Sequence, residues 1–366
     1  MTTVIPSWAN ADLPILDYSG PVSRMLAGLF FRPLCCSRTG QETLEMTVNT
    51  NMEHSVPESI GHYRIIEKIG HGEVGEVFTA YDSGLDRAVN LKVLNPEWCR
   101  SSAFVNRLTF KVKQVGQLNH QNIRRVFGLD DYGDRIVIVQ EHIEGQTLCD
   151  RLRFGHFDEM GFYALIMQIC QGLGHAHEHR VVHGNLKSSN LILDEGGRVK
   201  ITDFGLERRV DYIGGNHPEP QVHQVRYLAP EQLRGETPKS TTDIFTLGII
   251  FYEMLAGQLP FNGENGYTVI NKIRCEEPDY DLLRNDGVHG DTILLLKKMM
   301  AKNPEDRFAN ANEVLLSADA IAVFERNFKP TGFIKKDRYT PRQYLMISLL
   351  MALLLILWLV ITTVYK

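Results

Sequence analysis

The sequence predicts an α+β fold in two parts, a small β-rich lobe followed by a larger helical lobe, with a separate apolar helix near the C-terminus. Three observations carry this. Short β-branched runs separated by Gly or Asp turns begin at Tyr63. After "EGQTL", Glu144 to Leu148, the runs lengthen and take a helical period. Leu345 to Val364 is a 20-residue stretch without a charge.

Residues 1–60 show no regular period and are expected to form a disordered extension. "MLAGLFFRPLCC" within them is apolar, but Arg32-Pro33 interrupts it and it is too short to span a bilayer. It reads as an interfacial patch acylated at Cys35-Cys36, as part of a disordered arm, or as sequence upstream of a start at Met46 or Met52. Strands are expected at "HYRIIEKIG", "GEVFTAYD" and "RAVNLKVL". In "FVNRLTFKVKQVGQL" the residues Phe104, Leu108, Val112, Val115 and Leu118 recur at helical spacing and predict a helix. Strands return at "IRRVFGLDD" and "RIVIVQEH", and helices follow at "GFYALIMQICQGLGHAHEH" and "TTDIFTLGIIFYEMLAGQ". The expected organisation is a domain over 61–328, with its first lobe 61–142 and its second 143–328, then a basic segment 329–344 and the apolar helix 345–364.

Hydrophobic residues make up 43% and charged residues 23%, the balance of an ordinary globular chain. A net charge of −5 gives no basic bias, so no nucleic-acid partner is expected. The six cysteines form no C-x-x-C pair, which argues against a zinc ribbon and for reduced thiols. The N-terminus lacks the basic start and apolar core of a secretory signal.

"LMISLLMALLLILWLVITTV" spans roughly 30 Å as a helix, the thickness of a bilayer core. Trp358 and Tyr365 suit membrane positions, and Tyr344 the opposite interface. Lys329, Lys335, Lys336, Arg338 and Arg342 precede the span against one acid, Asp337. That excess places the large N-terminal part in the cytoplasm, so the chain reads as single-pass and tail-anchored, its basic segment near anionic headgroups.

"IGHGEVGEV" places Gly70, Gly72 and Gly75 in G-x-G-x-x-G spacing, followed by Val77. The glycines lie between two strands rather than opening a helix, which argues against a dinucleotide-binding turn. A glycine hairpin lets backbone N–H groups approach phosphates, because no Cβ intervenes. Lys92 closes "AVNLK" on a following strand and is a candidate phosphate ligand.

With these, the chain resembles the protein kinase superfamily, most closely the bacterial serine/threonine kinases of eukaryotic type. The resemblance runs from Tyr63 to Phe324 through the glycine loop, Lys92, "HGNLKSSN", "TDFG", "APE", "TDIFTLGIIFYEML" and "NPEDRF". It implies a bilobal kinase fold with ATP in the cleft. Gly70, Gly72, Gly75, Val77, Lys92 and Glu141 would then bind ATP, and Asp203 and Asn190 would hold Mg²⁺. Lys187 would reach the γ-phosphate, Glu231 and Arg307 would pair structurally, and Asp243 would anchor the catalytic loop. His175 and His179 are four apart on a predicted helix, a spacing zinc ligands use. They lack an acidic or thiolate third ligand at suitable spacing and are read as the helix end before that loop.

The chain departs from the family at positions that carry chemistry. Asn185 stands where the family has the aspartate that takes or orients the substrate proton, and an amide cannot accept one. General-base catalysis contributes about 10²- to 10⁴-fold, so a severe loss is expected. Gly184 replaces the arginine that receives an activation-loop phosphate, and Asp203 to Glu231 contains no Ser or Thr, leaving only Tyr212 and Tyr227 as acceptors. Lys111 falls where the family's helix supplies a glutamate for Lys92, and like charges repel. Either the helix swings out or Lys111 snorkels away. Asn90 replaces a small residue against the adenine, and Gln224 a threonine that bonds the catalytic aspartate. The retained groups serve nucleotide and Mg²⁺, whereas the lost ones serve substrate activation. The pattern favours a membrane-anchored pseudokinase that binds ATP and Mg²⁺ and acts as a signalling scaffold or allosteric partner of unnamed proteins. The alternatives are an active serine/threonine kinase with a non-standard loop and a docking module that binds no nucleotide.

Overall fold

Apolar residues on both faces of one sheet build the first lobe. In the computed structural model, which describes residues 57–72, 75–133, 135–205 and 220–328, six antiparallel strands form a sheet in the order β1-β2-β3-β4-β6-β5. They are β1 Ser59–Ile60, β2 Tyr63–Gly72, β3 Gly75–Asp82, β4 Arg87–Leu94, β5 Val126–Asp131 and β6 Ile136–Glu141. Side chains on a strand point to opposite faces in turn, and β6 shows the result. Val137 and Val139 pack with Phe78, Ala80, Val89 and Leu91 on one face. Ile136 and Ile138 pack on the other with Leu94, Phe104, Leu108 and Val112. The three strands expected around the glycine hairpin and Lys92 are present. The domain begins slightly earlier than residue 61, because Ile60 is buried and Ser59–Ile60 pairs with Tyr63 and Arg64.

A short helix α1, Pro96–Cys99, precedes α2, Ser102–Gly116, the helix expected from its apolar spacing. The Ser101 side chain caps α2 by accepting from the Phe104 N–H. Phe104, Leu108, Val112 and Val115 are buried, so α2 packs onto the sheet. Strand pairing joins the lobes: Ile123 bridges Ile201 in parallel, and the Arg124 N–H donates to the Ile201 carbonyl at 2.9 Å.

The second lobe is mainly helical. It contains α3 Leu148–Leu152, α4 Glu159–Glu178, α5 Val222–Val225, α6 Pro230–Leu233 and α7 Ser240–Ala256. It continues with α8 Gly266–Cys275, α9 Tyr280–Asn285, α10 Gly290–Met299 and α11 Ala311–Phe328. Residues Thr242 to Tyr252 of α7 are all buried, which makes α7 the helix around which the others pack. A small antiparallel sheet, β7 Gly145–Thr147, β8 Leu191–Asp194 and β9 Val199–Ile201, lines the side of this lobe that faces the first.

The expected segments 329–344 and 345–364, and all but the last four residues of the N-terminal extension, lie outside the described residues. Among the described residues no helix is long and apolar enough to cross a membrane.

Glu231 and Arg307 form the expected ion pair. Arg307 Nη1 lies 2.8 Å from Glu231 Oε1 and Nη2 3.0 Å from Oε2, and Arg307 also donates to the carbonyls of Thr241, Ala301 and Lys302. Burial alone would raise the Glu231 carboxyl, yet the hydrogen bonds and charge of Arg307 hold it below its usual range. A depressed folded value stabilises the fold above the ordinary carboxylate range, and that stability is lost as pH falls through the depressed value. Removing one partner strands a buried charge, so Glu231→Ala is expected to lower unfolding stability by about 3–5 kcal/mol in urea melts at neutral pH. The gap between wild type and Glu231→Gln should narrow as the melts are repeated at falling pH.

Candidate functional site

The cleft between the lobes collects the residues that the sequence marks out. Lys92 on β4 pairs with Val77 on β3, which in turn pairs with Gly70 on β2, so the hairpin covers the lysine. The hairpin glycines do different work. A Cβ at Gly75 would sit 1.9 Å from the Val93 carbonyl oxygen, so the approach of β4 alone demands glycine there. A Cβ at Gly70 would meet nothing within 4 Å, so no packing demands glycine there. Lys92 is buried, and its Nζ lies 3.3 Å from Asp203 Oδ1. Asp203 adopts a left-handed φ of 62°, a conformation few non-glycine residues take without surrounding support. Burial pushes its carboxyl up, but the charges of Lys92 and Arg124 outweigh this and hold it below the usual range.

The catalytic-type loop hangs from one buried carboxylate. Asp243 Oδ2 accepts from the His183 N–H at 2.8 Å and Oδ1 from the Gly184 N–H at 2.8 Å. Asp243 Oδ2 also lies 3.0 Å from His177 Nε2. His183 is buried, and its Nε2–H donates to the Thr202 carbonyl while Nδ1 accepts from the Asn185 N–H. Both ring nitrogens are thereby used by a neutral imidazole, consistent with burial pulling its pKa down. Gly184 has φ +74°, and its carbonyl accepts from Gln232 Nε2 at 2.7 Å. Asn190 Nδ2 donates to the Asn185 carbonyl at 2.9 Å. Asn185 Nδ2 is buried with no hydrogen-bond partner among the described residues. Lys187 lies between Asn185 and Asn190 on the same loop.

The positions that depart from the family resolve into specific contacts. Helix α2 stays packed, and Lys111 follows neither expected route, because its Nζ turns down to the Val182 carbonyl at 2.8 Å. The Lys111 side chain crosses Gly205 so closely that a Cβ there would lie 2.3 Å from Lys111 Cε. Asn90 Oδ1 lies 2.8 Å from His142 Nδ1, which ties the sheet to the segment joining the lobes. Gln224 is exposed and accepts from the Gln221 N–H, an interaction within α5. Tyr227 is corrected as a phosphate acceptor, since its hydroxyl donates to Glu253 at 2.7 Å and meets Ser188 Oγ at 2.8 Å. Tyr212 lies outside the described residues. Among the described residues no group of three or more His, Cys, Asp or Glu converges as a metal site; His175 stacks between His120 and His179 instead.

Glu141 sits at the lobe junction as expected. Its carboxylate faces away from Lys92 and binds Lys200 Nζ at 2.9 Å and the Arg125 N–H at 3.0 Å. Its carbonyl accepts from Arg124 Nε at 2.8 Å.

Sequence reasoning missed Arg124. It is buried behind the cleft, and its Nη2 has no partner among the described residues. Desolvation pulls the guanidinium below its usual value, Asp203 and Glu141 oppose that, and an arginine stays charged throughout. Arg124 and Asp203 line one cavity with Gln140, Val115, Ile138 and Phe204. The sequence carried no signal for it: in "NIRRV" Asn122, Ile123 and Arg124 are buried in succession and Arg125 is exposed, so no alternation separates the two arginines.

These groups line a cleft between two lobes of the protein kinase type. The Protein kinase domain family model matches residues 63–318, and the chain belongs to that family. It is 31% identical over 267 residues to the serine/threonine-protein kinase PrkC of Bacillus subtilis, covering 72% of this chain and 41% of that protein. It is 30% identical over 273 residues to the serine/threonine-protein kinase PknB of Mycobacterium leprae, covering 73% of this chain and 44% of that protein. The chain thus spans less than half the length of these relatives. The PknI kinase domain of Mycobacterium tuberculosis superposes with a TM-score of 0.58 at 19% identity, covering 75% of this chain and 99% of that domain, which shows the shared fold.

The family in general uses ATP with Mg²⁺. The glycine hairpin over Lys92 suits a polyphosphate. Mg²⁺ beside a polyphosphate is held by one or two protein oxygens together with phosphate and water oxygens, and the Asp203 carboxylate and Asn190 Oδ1 would supply the protein's share. One oxygen of Asp203 faces Lys92, and the Asn190 amide is oriented by its bond to the Asn185 backbone carbonyl.

The hairpin glycines supply a direct check. Gly75→Ala forces a backbone clash and is expected to cost about 1–3 kcal/mol, as overpacking does. Gly70→Ala should leave stability within about 0.5 kcal/mol, as at an open surface position. Urea melts of both variants test this.

Proposed function

We propose that this chain is a membrane-anchored pseudokinase: it binds a nucleoside triphosphate in the kinase cleft, transfers phosphate poorly or not at all, and acts as a signalling scaffold or allosteric partner. The observation that carries the reading is Asn185. It occupies the proton-accepting position with an amide whose Nδ2 is a buried, unpartnered donor. The loop around it is nonetheless held in place by Asp243. Lys111 points the same way. It sits where a carboxylate would pair with Lys92, and its amine donates to the Val182 carbonyl. The membrane anchor rests on the uncharged stretch 345–364 and the basic residues before it, an orientation that keeps the kinase-type domain cytoplasmic.

One observation favours a second reading, an active serine/threonine kinase with an unusual loop. Lys92, Lys187, Asn190 and Asp203 are all present, and in phosphoryl transfer positioning and electrostatics carry most of the rate.

A melt of the purified full chain in detergent micelles, with and without nucleotide, tests binding. At 100 times Kd the ligand is expected to stabilise the fold by about 2.7 kcal/mol. No shift at millimolar ATP, with or without Mg²⁺, sinks nucleotide binding. Labelled-phosphate transfer to protein that Asp203→Ala abolishes would replace the pseudokinase reading with the active one.

A further inference from the structure

We propose that Lys111 is a positioning residue that locks α2 and the Asp203–Gly205 turn against the catalytic-type loop. It takes the place of a helix glutamate paired with Lys92. The lock needs no nucleotide, so it stands or falls apart from the proposed function.

The attachments of α2 carry this. No Asp or Glu occurs between Arg100 and Leu129, so the helix offers Lys92 no carboxylate. Lys92 meets Asp203 instead, at 3.3 Å. Phe104, Leu108 and Val112 attach α2 to the sheet of the first lobe and not to the loop. Two residues one turn apart reach the second lobe. Val115 is buried in the core that the second lobe mainly builds. Lys111, four residues earlier and so on the same face, donates from Nζ to the Val182 carbonyl at 2.8 Å. A hydrogen bond from a charged donor is stronger than a neutral one.

The path of the side chain brings the turn into the lock. The Lys111 stem crosses Gly205 so closely that a Cβ there would collide with it. Two residues earlier Asp203 holds its left-handed φ of 62°, a conformation that persists only with surrounding support. Val182 directly precedes His183, whose ring bonds the Thr202 carbonyl. The loop therefore meets the turn twice, through His183 and through Lys111.

Hydrogen exchange of the full chain in detergent micelles, without nucleotide, tests the lock, with α7 as internal reference. Lys111→Met keeps an unbranched stem beneath Gly205 and removes every polar contact of the amine. It is expected to speed exchange over residues 109–116 of α2 and at Phe204 and Gly205 by at least about tenfold, equivalent to about 1.4 kcal/mol, with α7 unchanged. Lys92→Met is expected to leave α2 within about twofold of wild type, as for a residue that shares no contact with it. Unchanged α2 exchange in folded Lys111→Met overturns the proposal. Loss of α2 protection in Lys92→Met as large as in Lys111→Met overturns it as well. Equal speeding of α7 and α2 in the folded variant marks a general loss of stability and also overturns it. If Lys111→Met does not fold, Lys111→Gln, one bond shorter than lysine, is read by the same criteria.

Discussion

The buried carboxylate of Asp243 is the constraint from which the cleft is built. It accepts the backbone N–H groups of His183 and Gly184 and faces the His177 imidazole, all at 3.0 Å or less. Two loop residues and the end of α4 are thereby referred to the central helix α7. A buried carboxylate without these donors would be costly, and the donors without the carboxylate would be orphaned. His183 extends the frame to Thr202, which places Asp203 opposite Lys92. None of these bonds involves a proton-transfer group. The loop can therefore keep its shape while residue 185 changes from acid to amide.

What the frame presents has shifted from acceptors to donors. An amide stands at 185, a lysine amine runs beneath Gly205, and a guanidinium lies behind Asp203. The first two are departures from the family, on the loop and on α2, and Arg124 lies on the segment joining α2 to β5. The amide at 185 and the amine at 111 both move the site away from accepting a proton. The depressed carboxyl of Asp203 is the electrostatic counterpart, because its nearest strong partners are cations.

Much of this was legible in the sequence, for physical reasons. The long strands around Lys92 follow from alternation against a two-sided core, and α2 from apolar residues at helical spacing. Glu231, Arg307 and Asp243 carry the contacts that the kinase resemblance implied. Short pieces were not legible. The two-residue β1 and the strands β7 and β9, each three residues long, leave too few side chains to show a period. Lys111 was read as the residue in the place of Lys92's glutamate partner but was not followed to the Val182 carbonyl, which lies 71 residues away in sequence. Arg124 escaped notice because adjacent arginines read as solvated charge, and only the bridge of Ile123 to Ile201 turns one of them inward. Tyr227 looked like an available hydroxyl until Glu253 and Ser188 were seen to enclose it.

The central claim is that the frame persists while its proton chemistry is gone, and restoring the lost groups tests it most directly. Single-turnover phosphate transfer from Mg-ATP to protein should be compared between the wild-type full chain and the double variant Asn185→Asp with Lys111→Glu. The account predicts that the double variant gains at least about 100-fold, the lower bound of general-base catalysis, over a wild type near background. A wild-type rate equal to that of the double variant would contradict it.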